Sequence, residues 1–265
     1  MPALQARGVE LSYGEKGEGA PVVLLHETGT GSGVWDPLIG ALGPDRRAVA
    51  YDRRGWGAST VPDGYRRTTI EEQSEDASVL IESLEAAPAA VCGAGLGAVI
   101  ALDLLLRRPE LVRGAVLVEP PVLALVPEAT GALSEDRLAL EEAYRDRGLD
   151  GVVGLYLSGG LAALAGDVDR LPTALTAEAR ERPRIVLAEL GAAAGWSMPL
   201  VRLASAERPS VIVTSPSTPP LLREAAAALA LRLAGSETEE VAAGHGPPHV
   251  GAPAEVADAL GELAG

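Results

Sequence analysis

The chain has 265 residues and a formal charge of −15, from 22 basic and 37 acidic side chains. That balance excludes functions needing a cationic face, nucleic-acid binding and adhesion to anionic membranes among them. With 47% of its residues apolar, the chain has enough material for one large α/β domain with a buried core, and general disorder is excluded.

In chain order, the first twenty residues are polar and glycine-rich, so no signal peptide is expected. Short apolar runs follow at 22–26, 48–52, 89–92, 115–119 and 211–214, separated by longer helical stretches. This alternation predicts βαβ units and a mainly parallel sheet with helices on both faces. Each run ends in a polar or glycine residue, so His26, Asp52, Gly93 and Glu119 are expected at the carboxyl edge, where open α/β sheets bind ligands. Thr68 and Glu71 predict a capping box for a helix carrying Ile70, Ala77, Leu80, Ile81 and Leu84 on one face. Residues 96–106 are apolar apart from Asp103 and predict a buried helix closed by Pro109. Pro219 and Pro220 open a helix reaching about Gly235. Pro253 opens the last one, with Val256, Leu260 and Leu263 inward.

Residues 120–208 break this rhythm with several helical patterns and no clear strand. They predict a helical cap, inserted into a core formed by 1–119 and 209–265. No apolar run is long enough for a membrane span. Cys92, the one cysteine, has no intrachain partner and sits on an expected buried strand, which predicts an inert thiol. The reading is of a soluble cytoplasmic protein with a small-molecule partner, no nucleic-acid or membrane partner and no cofactor. The glycines at 29, 31 and 33 lack the context of a dinucleotide loop, and three histidines without ligand spacing do not predict a metal.

Four segments, in order, resemble the α/β-hydrolase family. Leu24-Leu25-His26-Glu27-Thr28-Gly29, followed by Trp35, is similar to the family's oxyanion loop. Residues 51–59, with Asp52, Gly55, Gly57 and Ser59, are similar to its Asp-x-x-Gly-x-Gly-x-Ser turn. Val91-Cys92-Gly93-Ala94-Gly95-Leu96-Gly97 stands at the nucleophile elbow, and Gly244-His245-Gly246 stands where the family keeps its histidine. The resemblance implies an α/β-hydrolase fold over nearly the whole chain.

The elbow pattern Gly-x-Ser-x-Gly keeps both flanking glycines here, as Gly93 and Gly97, but its central position is Gly95. Glycine has no atom to attack a carbonyl, so the covalent route is closed. The loop after residue 214 offers hydroxyls and no carboxylate. The resemblance, in which some members carry the acid at the end of the preceding sheet strand, implies Glu119 as acid partner of His245, the expected base. The alternatives are a glutamate that holds the start of the cap and an idle histidine. The resemblance implies that the backbone amides of Glu27 and Leu96 form the oxyanion hole. His26 and Trp35 are candidates for substrate contact, with bracing of the loop as the alternative for His26. Asp52 is expected to be structural, and His249 to be a surface or helix-leading residue.

These residues imply an enzyme acting non-covalently on a small, apolar carbonyl compound, by hydrolysis, carbon–carbon cleavage, elimination or cyclisation. One alternative is a ligand-binding protein without turnover. Another is a conventional ester hydrolase whose serine has been replaced.

Overall fold

A computed structural model describes residues 1–163 and 168–264. Residues 164–167, within the stretch expected to be a cap, lie outside the described residues.

The chain opens with β1 (Ala3–Ala6), β2 (Val9–Lys16) and β3 (Ala20–Leu25). Helix α1 (Asp36–Leu42), β4 (Arg46–Tyr51), α2 (Ile70–Ser83), β5 (Ala89–Ala94), α3 (Leu96–Arg107) and β6 (Val112–Val118) follow. Next come α4 (Ala129–Leu157), α5 (Ala177–Glu181), α6 (Pro183–Gly195) and α7 (Leu200–Ala204). The chain then returns to the sheet with β7 (Ser210–Thr214), α8 (Pro220–Ala230), β8 (Ser236–Glu240), α9 (Pro248–Gly251) and α10 (Pro253–Ala264).

The sheet has eight strands in the order β1-β2-β4-β3-β5-β6-β7-β8. The first two are antiparallel to their neighbours, and every later pairing is parallel. Strands β3, β5 and β6 run through the middle and are apolar along most of their length, as strands covered on both faces must be. One face packs against α2, α3 and α8, and the other against α1 and α10. Helix α3 is buried along almost its whole length. Its one internal charge, Asp103, is neutralised by Arg107 at 2.9 Å and accepts a hydrogen bond from the Trp196 indole at 3.0 Å.

The α2 cap lies one residue later than predicted. Thr69 is the N-cap, its side chain accepting from the Glu72 amide at 3.0 Å. Thr68 instead donates its hydroxyl to the Glu72 carboxylate at 2.9 Å. Between β6 and β7 the described residues form helices and turns without a strand. Helix α4 bends sharply at Gly148, where φ is +61°. No helix among the described residues is long and apolar enough to cross a membrane.

Candidate functional site

Strand β5 ends in a sharp turn into α3, and Gly95 sits at its apex with φ +50° and ψ −121°. The flanking glycines are required by contact. A Cβ on Gly93 would stand 2.2 Å from the Gly97 carbonyl oxygen, and one on Gly97 would stand 2.0 Å from that of Leu25. The Gly95 amide donates to Val118 at 3.1 Å, fastening the turn to β6. The sharp turn from β5 into α3 is therefore fixed by close backbone contacts at both flanking glycines.

The loop after β3 is held by its carbonyls. His26 Nε2 accepts the Arg53 amide at 2.9 Å, which puts the ring proton on Nδ1, and Nδ1 donates to the Glu27 carbonyl at 2.8 Å. The Thr30 hydroxyl donates to that same carbonyl at 3.1 Å, and the Tyr156 hydroxyl donates to the Thr28 carbonyl at 2.9 Å. With the carbonyls engaged, the Glu27 and Leu96 amides donate to no acceptor among the described residues. The Leu96 amide also opens α3, where the helix dipole favours negative charge. His26 thus braces the loop. Burial, reinforced by the Arg53 charge, pushes its pKa well below the usual histidine range, against the hydrogen bond to the Glu27 carbonyl.

Register places the two loops together. Leu25 pairs with Gly93 across β3 and β5, so Glu27 and Gly95, each two residues on, leave the sheet side by side. Both line a cavity of about 120 Å³, roofed by apolar residues of the β6–β7 segment such as Leu123, Leu133 and Leu190. Three carboxylate residues reach its wall: Glu27, Glu119 and Glu189.

Two of these carboxylates are committed elsewhere. Glu189, on α6, is gripped by Arg53 and accepts from Trp56 Nε1 at 3.0 Å, Gln73 Nε2 at 3.2 Å and Thr28 Oγ1 at 2.7 Å. Glu119 is fully buried, with φ +47°, and is held by the Arg170 guanidinium and the Thr218 hydroxyl. This corrects the expected Glu119–His245 bond. A buried carboxylate needs a neutralising cation, and the β6–β7 segment supplies one in Arg170. Arg170 also reaches the Gly246 carbonyl at 3.5 Å, so the His245 turn and Glu119 are joined through this arginine rather than directly. His245 itself is exposed and absent from the cavity wall.

His26 and Trp35, expected at the substrate, are both fully buried and do not line the cavity. Trp35 packs instead against His249, ring centroids 4.9 Å apart. His249 is the residue that sequence reasoning missed. It is fully buried rather than at the surface, and its Nε2 lies 3.3 Å from Glu27 Oε2. Neither ring nitrogen and neither Glu27 oxygen makes a hydrogen bond among the described residues. The sequence signal was slight, an imidazole beside a proline-opened helix end.

Asp52 is structural, accepting the amides of Ser32 at 2.8 Å and Ala58 at 2.9 Å. Cys92 is buried, and burial, with the Glu27 charge, pushes its thiol far above the usual range. Among the described residues, no three His, Cys, Asp or Glu side chains stand together as metal ligands.

Curated relatives match part of the chain. A putative non-heme bromoperoxidase, BpoC, of Mycobacterium tuberculosis (strain ATCC 25618 / H37Rv) is 37% identical over 111 residues, 41% of each chain. An uncharacterized hydrolase, YraK, of Bacillus subtilis (strain 168) is 33% identical over 123 residues, 46% of this chain and 45% of that one. These matches span less than half the length of either relative. Solved structures match along the whole chain at lower identity. The enol-lactonase from Burkholderia xenovorans LB400 has a TM-score of 0.73 at 22% identity, covering 99% of both chains. The esterase EaEST from Exiguobacterium antarcticum has a TM-score of 0.76 at 19% identity, covering 99% of this chain and 98% of that one. At those identities the likeness shows the fold. The profile of the Alpha/beta hydrolase family, however, matches residues 22–259, the whole span from β3 into α10, and the chain belongs to that family.

Proposed function

We propose that this chain is an enzyme that hydrolyses a small, largely apolar carbonyl compound without a covalent intermediate. The observation carrying this reading is the intact elbow at Gly95, with two unengaged amides beside a small apolar cavity. Preorganised amides in a water-poor site stabilise charge developing on a carbonyl oxygen, and each is worth about 10²–10³ in rate. Neither donor depends on a serine. The hydrolase names of its relatives support the reaction class, and the helices of 120–208 serve in this reading as the cap that closes the cavity. Because Glu119 is bound by Arg170 and Thr218, no role is assigned to the expected His245–Glu119 couple.

The test removes one amide. Leu96 is the first residue of α3, where proline is tolerated because its missing N–H has no intrahelical partner. Gly95, having no Cβ, also escapes the side-chain clash that a following proline ring imposes on other residues. The parent is expected to turn over 4-nitrophenyl acetate, and Leu96→Pro to lower kcat by about 10²-fold or more at unchanged fold. A parent that binds small carbonyl compounds without any turnover would make the protein a ligand-binding member of the family instead.

A further inference from the structure

We propose that Glu27 is the general base of this site: its carboxylate, positioned by His249, takes a proton from a water standing where the elbow's missing side chain leaves room beside Gly95. This rests on the reading above, that the Gly95 cavity hydrolyses a carbonyl compound.

The first observation is the distribution of hydrogen bonds among the three acidic residues that line the cavity. Glu189 accepts from four different side chains, and Glu119 is neutralised by Arg170 and bonded by Thr218. Glu27 is 2% exposed and accepts no hydrogen bond. Burying a carboxylate in that condition works against folding, and so does burying His249 with both ring nitrogens unbonded. Two such groups, facing each other at 3.3 Å, form an arrangement that packing alone does not favour. Catalytic contacts are often loose in an empty site and tighten around the reacting complex.

The second observation is position. Glu27 leaves β3 beside Gly95, and both line the same cavity. Gly95 is half-buried, has no Cβ and lines the cavity in which the proposal places the water. His249 lies behind Glu27, wedged against Trp35, and does not reach the cavity, which makes it a positioning residue. The titratable groups near the Glu27 carboxylate are His249 from α9 and Cys92 from β5. Glu119 and Glu189 line the same cavity, and His26 meets only the Glu27 backbone carbonyl. Cys92 stays a thiol and His26 a neutral ring, for the reasons given above.

The chemistry balances without any further reactant. A lone pair on the water oxygen forms the new bond to the carbonyl carbon, and a water proton passes to the Glu27 carboxylate. The carbonyl π pair moves onto oxygen, where the Glu27 and Leu96 amides hold it. When the carbonyl re-forms, the leaving oxygen departs with the bonding pair and takes the proton back from Glu27. The carboxylate is restored, and the products are an acid and an alcohol.

The experiment follows hydrolysis of 4-nitrophenyl acetate by the full chain and its variants across pH. Glu27→Gln is expected to lower kcat by about 10²–10⁴-fold with KM little changed, and Glu27→Asp to retain part of the rate. His249→Gln is expected to displace the acid limb of the kcat–pH profile, which loss of packing alone would not do. Glu27→Gln replaces a buried carboxyl group that accepts no hydrogen bond with a neutral amide of the same shape, so its melting temperature should match or exceed that of the parent. If it fails to fold, Glu27→Asp and isotope labelling still decide. In a single turnover in ¹⁸O-water, the label is expected in the acetate and not in the Glu27 carboxylate. Label in Glu27 would make it a nucleophile and overturn the proposal. Undiminished kcat in Glu27→Gln would overturn it while leaving the amide cavity standing. A parent without turnover, or a Leu96→Pro variant as fast as the parent, would overturn the underlying reading itself.

Discussion

Gly95 has a backbone conformation that other residues adopt only under strain, with φ +50°. Strain of this kind costs about 1–3 kcal/mol for a residue with a Cβ, so Gly95→Ser is expected to fold with a stability lowered by that order. The neighbouring loop contains a second constraint, on acid tolerance. His26 is held neutral in the folded state, with its pKa pushed well below 6.5 by burial and by Arg53. An unfolded chain binds a proton at this residue below about pH 6.5; the folded chain does not. Stability is therefore retained above that pH and falls as pH drops below it, by up to about 1.4 kcal/mol per pH unit. Urea unfolding at pH 7 and pH 5 should show the loss, and His26→Gln should reduce the slope. An unchanged slope in that variant would place the acid sensitivity elsewhere.

At the scale of elements, the Glu119–Arg170 pair fastens the end of β6 to the segment that follows α4, and Arg170 extends the tie to the Gly246 carbonyl before α9. Glu119 is completely buried, so losing its cation leaves an uncompensated charge. Arg170→Ala is expected to cost about 3–5 kcal/mol in chemical unfolding, with Glu119→Gln in the same chain restoring much of it. Arg170→Ala within 1 kcal/mol of the parent would show that Glu119 is held mainly by Thr218.

Elements were legible in sequence where they are apolar on both faces. Strands β3, β5 and β6 and helix α3 stood out because their burial leaves few polar interruptions, Arg113 in β6 and Asp103 in α3 among them. Strand β8 reads Ser-Glu-Thr-Glu-Glu and lies at the sheet edge, half in solvent, so it carried no hydrophobic signal. Strands β1 and β2 were missed at the opposite edge, where pairing is antiparallel and alternation is short.

Across the whole molecule, the buried Arg53–Glu189 ion pair joins the loop after β4 to α6, and Trp56 and Gln73 bind the same carboxylate. This network fixes the β6–β7 segment over the carboxyl edge of the sheet and so sets the cavity's shape. The backbone of the candidate site was legible because elbow glycines answer to close contacts that only glycine permits. Its side-chain partnerships were not. Glu119 and His245 looked complementary as residue types, but pairing depends on which cation or base the intervening segment delivers, and it delivered Arg170 to Glu119. His249 and Glu27 are 222 positions apart in sequence, and only the packing of α9 against Trp35 brings them together.

The most direct measurement of the central proposal, an oxyanion site beside Gly95, is intact-protein mass spectrometry after exposure to a serine-directed fluorophosphonate. The parent should remain unmodified. Gly95→Ser should gain a single phosphonyl group at the substituted position. A folded Gly95→Ser protein that takes up no label at that position, while its new hydroxyl is open to solvent, would contradict the account.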